Sequence, residues 1–381
     1  MITRHLGTHL KKLARGFPMI GILGPRQSGK TTLARQIFPK YRYVNLEDTD
    51  MRKFATEDPR GFLSQYDRHV ILDEVQRVPE LFSYLMVKTD TDKVPNQYIL
   101  TGSQHFLMLS KITQSLAGRI ALFNLYPLTY HELSQANLAK ASAPEQIWCG
   151  GYPRLYDKTI NPNLWFKSYI QSYLDRDISL LSQIADLAIF EKFLHLAAGR
   201  TGSILNYNSI ASDVGVTHNT IKSWVNLLIT SGIVYLLPPY YANIGKRLVK
   251  SPKLYFVDTG IACRLLGIES PLQLPTHPLY GALFETYVVM DMYKSFLNKG
   301  DSPRLYYWRD KTGLEADIYL AKALGGELYE VKSTQTIPTD AFNNLAKIKL
   351  TFDKPVTLNL IYGGDDNQKR TNGNVLSWKN I

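Results

Sequence analysis

The sequence predicts an α/β protein of several domains, and three observations lead to that prediction. In the first 135 residues, short apolar runs typical of buried strands alternate with helical patterns. A mainly helical stretch follows, and strand patterns return in the last third of the chain. At 381 residues, the chain is long enough for two or three domains that each bury a core.

A glycine-bounded loop lies between the first apolar run and the first helical pattern. Residues 24–32 read GPRQSGKTT and match the P-loop pattern G-x-x-x-x-G-K-[ST] in full. Such a loop curls at its glycines and holds nucleotide phosphates through backbone amides and the positive end of the following helix. The residues predicted to bind the nucleotide are Gly24, Pro25, Arg26, Gln27, Ser28, Gly29, Lys30, Thr31 and Thr32.

Two residues of this loop have specific predicted roles. Lys30 is expected to reach the β- and γ-phosphates, and Thr31 is expected to offer its hydroxyl to Mg²⁺. The alternative is a glycine turn that happens to precede a helix with a lysine. The strand pattern before the loop and the helical pattern after it favour the nucleotide, so ATP and Mg²⁺ are the predicted cofactors.

Two later strand patterns end in polar residues. The stretch HVILDE ends in Asp73, expected to hold Mg²⁺, and Glu74, expected to orient the attacking water. The stretch QYILTGS ends in Thr101 and Ser103, one of which is expected to lie between those carboxylates and the γ-phosphate. A helix N-cap at this position is an equal alternative.

Arg119 follows the stretch SLAG and precedes another strand pattern. It is a candidate arginine finger or sensor for the γ-phosphate, in its own subunit or in a neighbouring one. The second case would imply a homo-oligomer. An ordinary surface arginine is the alternative.

The order of these motifs resembles the prokaryotic AAA+-type ATPases. The P-loop, the LDE stretch, LTGS, and LAGR followed by YPLTYHEL occur in that order, and GGYPR at 150–154 and Trp308-Arg309 match one branch of the group. That branch pairs the ATPase with a C-terminal domain of unknown function. The resemblance covers nearly the whole chain and implies an AAA+-like three-layer sandwich over residues 1–135.

The middle of the chain contains a helix-turn-helix pattern. The stretch YNSIASDVGVTHNTIKSW places two short helices around a glycine, and two strand patterns with a basic segment between them follow, as in a winged helix. Packing against protein is the alternative to DNA contact. The residues predicted to contact DNA are Thr217, His218, Asn219 and Lys222, with Lys246, Arg247 and Lys250 on the wing.

Four polar residues of the last third form a further pattern. Glu285 lies in an apolar helical stretch, Asp317 lies in a strand pattern, and Glu330 and Lys332 share one face of the next strand. This resembles the PD-(D/E)xK, or restriction-endonuclease-like, domains. The three carboxylates would then hold Mg²⁺ or Mn²⁺ and Lys332 would assist the attacking water. An inert binding or packing module is the alternative.

The composition of the chain indicates which partners and which cellular compartment to expect. The chain has 44 Lys and Arg against 33 Asp and Glu, a net charge of +11, which favours a polyanion such as DNA as partner. The two cysteines, Cys149 and Cys263, are far apart, so structural disulfides are not expected. No signal peptide or membrane-spanning segment is recognisable, and a cytoplasmic protein is expected.

These patterns divide the chain into four predicted segments: an AAA+-like ATPase domain (1–135), a linker and helical connector (136–200), a winged-helix domain (201–260) and a nuclease-like domain (261–381). The first functional hypothesis is an ATP-hydrolysing, DNA-processing protein with a metal-dependent nuclease. One alternative is an ATP-dependent signalling or regulatory switch whose C-terminal domain is inert. Another is a DNA-binding regulator whose C-terminal fold is structural.

Overall fold

The computed structural model describes residues 2–92, 94–103, 116–157, 160–173, 186–240 and 251–381. The chain forms two compact units. The first unit contains Met1–Leu128 with the short segments Thr230–Gly232 and Phe296–Asp301, and the second contains Thr129–Ile229, Ile233–Ser295 and Ser302–Ile381.

The first unit is a parallel sheet with helices. Its helices are α1 (Leu6–Leu13), α2 (Lys30–Ile37), α3 (Thr49–Glu57), α4 (Pro59–Gln65) and α5 (Leu81–Asp92), with a short 3₁₀ turn at Val75–Arg77. Its strands are β1 (Met19–Leu23), β2 (Arg42–Asn45), β3 (Val70–Asp73), β4 (Tyr98–Gly102) and β5 (Ile120–Asn124). They pair in parallel in the order β2-β3-β4-β1-β5. The carboxyl ends of β3, β4 and β1 are therefore neighbours.

Both faces of this sheet are covered. Met19 of β1 packs in a cluster with side chains of α4 and α5, whereas the next residue, Ile20, packs in a cluster with side chains of α1 and α2. Because successive side chains of a strand point to opposite faces, β1 is buried along its whole length. The first unit therefore has the three-layer architecture that the family resemblance implies.

The second unit contains helices and two sheets. Its helices are α6 (Tyr130–Gln135), α7 (Ala143–Cys149), α8 (Pro162–Ser172), α9 (Leu187–Ala198), α10 (Tyr207–Val214), α11 (His218–Thr230), α12 (Thr259–Leu265), α13 (Tyr280–Asn298) and α14 (Asn343–Lys349), with 3₁₀ turns at Pro153–Tyr156 and Pro271–Thr276. The last residues of α11 and α13 fall in the short segments counted with the first unit. Its strands are β6 (Ser203–Ile204), β7 (Val234–Leu237), β8 (Lys253–Phe256), β9 (Leu305–Arg309), β10 (Glu315–Lys322), β11 (Gly325–Lys332), β12 (Val356–Tyr362), β13 (Gln368–Arg370) and β14 (Gly373–Ser377).

The strands of the smaller sheet lie on either side of the helix pair α10 and α11 in the sequence: β6 precedes the helices, and β7 and β8 follow them. The turn between the two helices contains Gly215 at φ 89°, in the left-handed region that favours glycine. Strands β6, β8 and β7 pair antiparallel in that order. The order of helix, turn, helix and strands is the order predicted for this segment, and its identity as a winged helix stays a prediction.

The larger sheet has the order β13-β14-β12-β11-β10-β9. Strands β9, β10 and β11 form an antiparallel meander, and β12 then runs parallel to β11 after the crossover through α14. The pairing of β10 with β9 shifts register between Ala316 and Tyr319, on either side of Asp317. Such bulges re-aim the side chains next to them.

No helix among the described residues is both long and apolar enough to span a lipid bilayer.

Candidate functional site

The P-loop between β1 and α2 is shaped by residues with positive φ. Gly24 has φ 154°, and a Cβ placed there would lie 2.1 Å from the carbonyl oxygen of Leu125. Gln27 has φ 58°, and Gly29, at the N-cap of α2, has φ 97°. The loop therefore wraps around the first turn of α2, whose amides have no acceptor within the helix.

Lys30 lies inside this loop. Its Nζ donates to the carbonyl oxygens of Gly24 at 3.1 Å and Pro25 at 2.9 Å, and the residue is buried. The positive charge is thus placed within the curve of the loop, which is where a bound phosphate would need it.

The carboxylate of Asp73, at the end of β3, accepts hydrogen bonds from three hydroxyl groups. Thr31 Oγ1 lies 3.0 Å from both of its oxygens, Tyr43 OH donates to Oδ2 at 2.7 Å, and Thr101 Oγ1 donates to Oδ1. Burial and this bond to Asp73 raise the pKa of Tyr43 well above its usual range. Thr31 and Asp73 offer the hard oxygen atoms that Mg²⁺ prefers, so these residues fit that ion.

Glu74 follows Asp73 in a strained conformation. Its φ of 55° and ψ of 44° lie in the left-handed region, which residues other than glycine seldom adopt and which is enriched at functional sites. The amide Nε2 of Gln76 donates to the Glu74 carboxylate and to Ser103 Oγ at 3.2 Å. Gln76 therefore joins the two predicted residues Glu74 and Ser103.

Arg4 is a contact of the P-loop that the motifs do not indicate. Its guanidinium is buried and donates to the backbone oxygen of Ser28 at 2.8 Å and to that of Tyr126 at 2.7 Å. These bonds tie the loop to the segment after β5. Arg4 is 24 residues from Ser28 and 122 from Tyr126, so no local pattern announces it.

Arg119 lies at the other end of the sheet from the P-loop. Its backbone oxygen accepts from Met19 N at 3.1 Å, and its guanidinium makes two bonds to Asp90, at 2.5 and 2.8 Å. Met19 begins β1, so roughly 15 Å of strand separates Arg119 from the loop after Leu23. The structure does not bring Arg119 to the P-loop of its own chain, and a role at a neighbouring subunit's site stays a prediction.

The residues predicted to contact DNA fall into two groups. Thr217, His218, Asn219 and Lys222 are exposed at the start of α11. Thr217 also caps that helix, because its Oγ1 accepts from Thr220 N at 3.1 Å. The predicted wing residues Lys246, Arg247 and Lys250 lie outside the described residues.

In the second unit, Glu285 and Asp317 meet at a lysine. Glu285 Oε1, on α13, accepts from Lys253 Nζ at 2.9 Å and from Tyr255 OH at 2.6 Å. Asp317 Oδ1, on β10, lies 3.8 Å from the same Nζ, and its Oδ2 accepts from Val331 N at 2.8 Å.

Glu330 and Lys332 complete the predicted set on the adjacent strand β11, where they form an ion pair at 2.7 Å. Burial and the charge of Asp317 raise the pKa of Glu330 to about 7. The same two causes raise the pKa of Glu285 to about 7, and burial raises that of Asp317. The three carboxylates therefore interact as one cluster.

Lys253 and Glu315 belong to this cluster although the sequence patterns did not indicate them. Lys253 Nζ lies 2.5 Å from Glu315 Oε1, and Glu315 Oε2 lies 2.5 Å from Arg309. Burial alone would lower the pKa of Lys253, but the charges of the surrounding carboxylates raise it well above its usual range. A lysine inside a fully buried strand is itself a signal, because a buried charge requires a partner of opposite sign.

The cluster fits a divalent cation less well than Thr31 and Asp73 do. Its carboxylate oxygens have the right chemistry, but a lysine ammonium lies between them. Within the ranges that the structure describes, no three His, Cys, Asp or Glu side chains are arranged to hold a metal ion.

Three family models match consecutive parts of the chain. Residues 16–134 match an AAA domain, residues 140–272 match a domain of unknown function (DUF8612), and residues 280–381 match another (DUF4143). Among solved structures, the Walker-type ATPase of Pyrococcus abyssi is similar at a TM-score of 0.41 and 15% identity, over 68% of this chain and 94% of that one.

Relatives that match most of the chain are found in bacteria. Uncharacterized proteins of Mycobacterium tuberculosis and Mycobacterium bovis are each 32% identical over 341 residues, 87% of this chain and 74% of theirs. One from Haemophilus influenzae is 24% identical over 65% of this chain and 68% of its own. The chain therefore belongs to the family of the two mycobacterial proteins, and its first unit is an AAA-type ATPase domain.

Proposed function

We propose that this protein binds ATP with Mg²⁺ and hydrolyses it at the P-loop of the first unit. The observation that carries the proposal is the contact between Thr31 and Asp73, which puts a P-loop hydroxyl on the carboxylate at the end of β3. Magnesium is commonly bound by one or two such protein groups together with substrate phosphates and water. The pair therefore supplies what Mg²⁺-ATP requires from the chain.

The chain's residues divide the work of the reaction. The P-loop amides and Lys30 bind and orient the phosphates, while Thr31 and Asp73 would hold Mg²⁺. When bound, Mg²⁺ neutralises charge on the β- and γ-phosphates. Glu74, whose carboxylate accepts from Gln76, orients the attacking water and can take up its proton.

Phosphate release by the purified chain tests this proposal. We expect release from ATP that requires Mg²⁺, stops in excess EDTA and is absent in Lys30→Ala. Hydrolysis by Lys30→Ala at the wild-type rate would contradict the proposal and point to a contaminating ATPase.

A second function is favoured by the cluster in the second unit. We infer that ATP turnover serves DNA processing, with the segment 261–381 as a metal-dependent nuclease-like domain behind a winged helix. Asp317 and Glu330 lie on adjacent strands, Lys332 follows Glu330, and Glu285 approaches from α13, in the predicted order of elements. The net charge of +11 favours the DNA partner.

Cleavage assays test the second function directly. The purified chain is incubated with ATP, Mg²⁺ or Mn²⁺, and duplex, single-stranded or branched DNA. We expect divalent-dependent cleavage that Asp317→Ala abolishes. Cleavage that persists in Asp317→Ala would contradict the assignment, and ATP turnover without any cleavage would favour the regulatory switch with an inert C-terminal domain.

A further inference from the structure

A lysine of β8 is surrounded by the acidic side chains of the second unit. Lys253 Nζ lies 2.9 Å from Glu285, 2.5 Å from Glu315 and 3.8 Å from Asp317. It also lies 5.6 Å from the centre of the Tyr307 ring, within the range of a cation–π contact. The residue is only 3% exposed, so its charge is balanced by these groups and not by solvent.

A second residue of β8, the strand that carries Lys253, also contacts this cluster. Tyr255, two positions later and on the same face of β8, donates to the same Glu285 oxygen at 2.6 Å. Both contacts come from a strand that belongs to the smaller sheet, whereas Asp317 and Glu315 belong to the larger one. The lysine is therefore a built part of the cluster.

The carboxylates of the cluster differ in the cations with which they pair. Glu315 also pairs with Arg309, and Glu330 pairs with Lys332. Among the residues that the structure describes, the ion pairs of Glu285 and Asp317 are those with Lys253. Two buried carboxylates without this cation would need another one or a proton.

We propose that Lys253 is the resident cation of this cluster, holding the place between Glu285 and Asp317 that a divalent metal would occupy. A metal bound to those two carboxylates would lie within a few ångströms of Nζ, where the like charges repel strongly in a buried site. Metal and lysine are therefore alternative occupants, and the structure shows the lysine-bound arrangement. The proposal concerns the residues of the proposed nuclease-like site but does not depend on DNA cleavage.

Terbium luminescence measures the competition. Tb³⁺ is a hard, oxygen-seeking probe, and Tyr255 beside Glu285 can sensitise its emission. We titrate Tb³⁺ into the full chain without nucleotide and compare the wild type with Lys253→Met, which keeps the length of the side chain and removes its charge. We expect at least a tenfold tighter dissociation constant in Lys253→Met, and displacement of Tb³⁺ by Mn²⁺ and Mg²⁺.

Two further variants test whether the gain in Tb³⁺ affinity arises between Glu285 and Asp317. Lys332→Met removes a charge from the same cluster without vacating the central position, and we expect a smaller gain in affinity. Adding Asp317→Asn to Lys253→Met should abolish the gain, which excludes a contribution from the P-loop. Equal affinities for wild type and Lys253→Met, both shown folded by circular dichroism, would overturn the proposal.

If Lys253→Met fails to fold, a comparison of the wild type with Asp317→Asn also tests the proposal. Without DNA, we expect weak Tb³⁺ binding that Asp317→Asn does not change. The divalent-dependent cleavage of the proposed function would then require Lys253 to leave the two carboxylates when metal and DNA bind together. Tight binding by the wild type that Asp317→Asn removes would show that metal and lysine coexist, which overturns the proposal. The nuclease assignment is judged separately: metal binding by Lys253→Met without DNA cleavage would reject the nuclease and keep the resident cation.

Discussion

The hydroxyl of Thr31 donates to Asp73 and lies 3.0 Å from both carboxylate oxygens. The two residues are 42 positions apart and meet because β1 and β3 end at the same edge of the parallel sheet. Tyr43 and Thr101 donate to the same carboxylate, so Asp73 is held in place from three directions. This preorganised carboxylate is the basis for the first prediction.

Replacing Thr31 should weaken nucleotide binding in a metal-dependent way. Thr31→Val removes the hydroxyl while keeping the shape of the side chain, and we expect an affinity loss of about tenfold or more for Mg²⁺-ATP. Thr31→Ser should bind nearly as the wild type does. Calorimetric titration in Mg²⁺ and in EDTA checks this. An equal loss in both conditions would indicate damage to the loop and not to the metal site.

Lys30 and Glu74 should separate binding from turnover. Lys30→Ala removes the charge within the P-loop, so we expect tight ATP binding to be lost. Glu74→Gln keeps the shape and loses the base, and we expect unchanged binding with hydrolysis slower by about 10²–10⁴-fold. Single-turnover hydrolysis measures both. A Glu74→Gln enzyme that turns over at the wild-type rate would refute the role given to Glu74.

Arg4 should be a positioning residue for the P-loop. Arg4→Met removes two buried charge-assisted bonds, so we expect lower stability, at about 1.5–3 kcal/mol for each bond to a charged group, and weaker ATP binding. Arg15→Met, at an exposed arginine nearby, is the matched control and should change neither. If ATP affinity is unchanged in folded Arg4→Met, Arg4 serves stability alone.

The fold of the first unit could be predicted from the sequence because the patterns that indicate it are local. Each strand is a short apolar run followed at once by the loop that carries the polar residues, and a parallel sheet brings those loop ends together. The contacts of Arg4 and Tyr43 could not be predicted in this way, since they join segments 24 to 122 residues apart. The position of Arg119 could be predicted, because it precedes β5 and therefore lies at the amino ends of the parallel strands, away from the P-loop.

The cluster of the second unit was only partly predictable. The alternation along β11 places Glu330 and Lys332 on one face, and Asp317 lies on the neighbouring strand as its pattern suggests. Lys253 reaches the cluster from the smaller sheet, and no spacing along the chain encodes that approach. Because of this approach, Asp317→Ala removes a partner of Lys253 as well as a repelling charge.

DNA binding should depend on salt through the predicted wing. Neutralising Lys246, Arg247 and Lys250 together should weaken binding and flatten the plot of log K against log salt concentration by about two to three units, at roughly 0.9 for each phosphate that the protein no longer neutralises. Fluorescence anisotropy at several salt concentrations measures the slope. Neutralising Lys347 and Lys349 of α14 provides a control. An unchanged slope in the wing variant would assign the helix pair and its sheet to protein packing.

Arg119 provides the test for catalysis between subunits. The structure pairs it with Asp90 on α5, at a distance from the P-loop of its own chain. If the arginine acts on a neighbour's γ-phosphate, Arg119→Ala should lose hydrolysis by about 10³-fold or more and keep ATP binding. Asp90→Asn breaks the ion pair but keeps the arginine, so it should retain activity. Equal losses of hydrolysis in the two variants would indicate that Arg119 serves only in its ion pair with Asp90 and has no catalytic role.

Mixing two inactive variants then decides where the arginine acts. Lys30→Ala lacks a working P-loop but offers Arg119, whereas Arg119→Ala has the P-loop but lacks the arginine. In a homo-oligomer with shared sites, a mixture of the two should regain hydrolysis, because some interfaces then combine an intact P-loop with an intact Arg119. Light scattering in the presence of ATP and Mg²⁺ should show the oligomer. A mixture as inactive as its components, in an oligomer shown to exchange subunits, would exclude the arginine finger and leave Glu74 and the P-loop of one chain to carry the reaction.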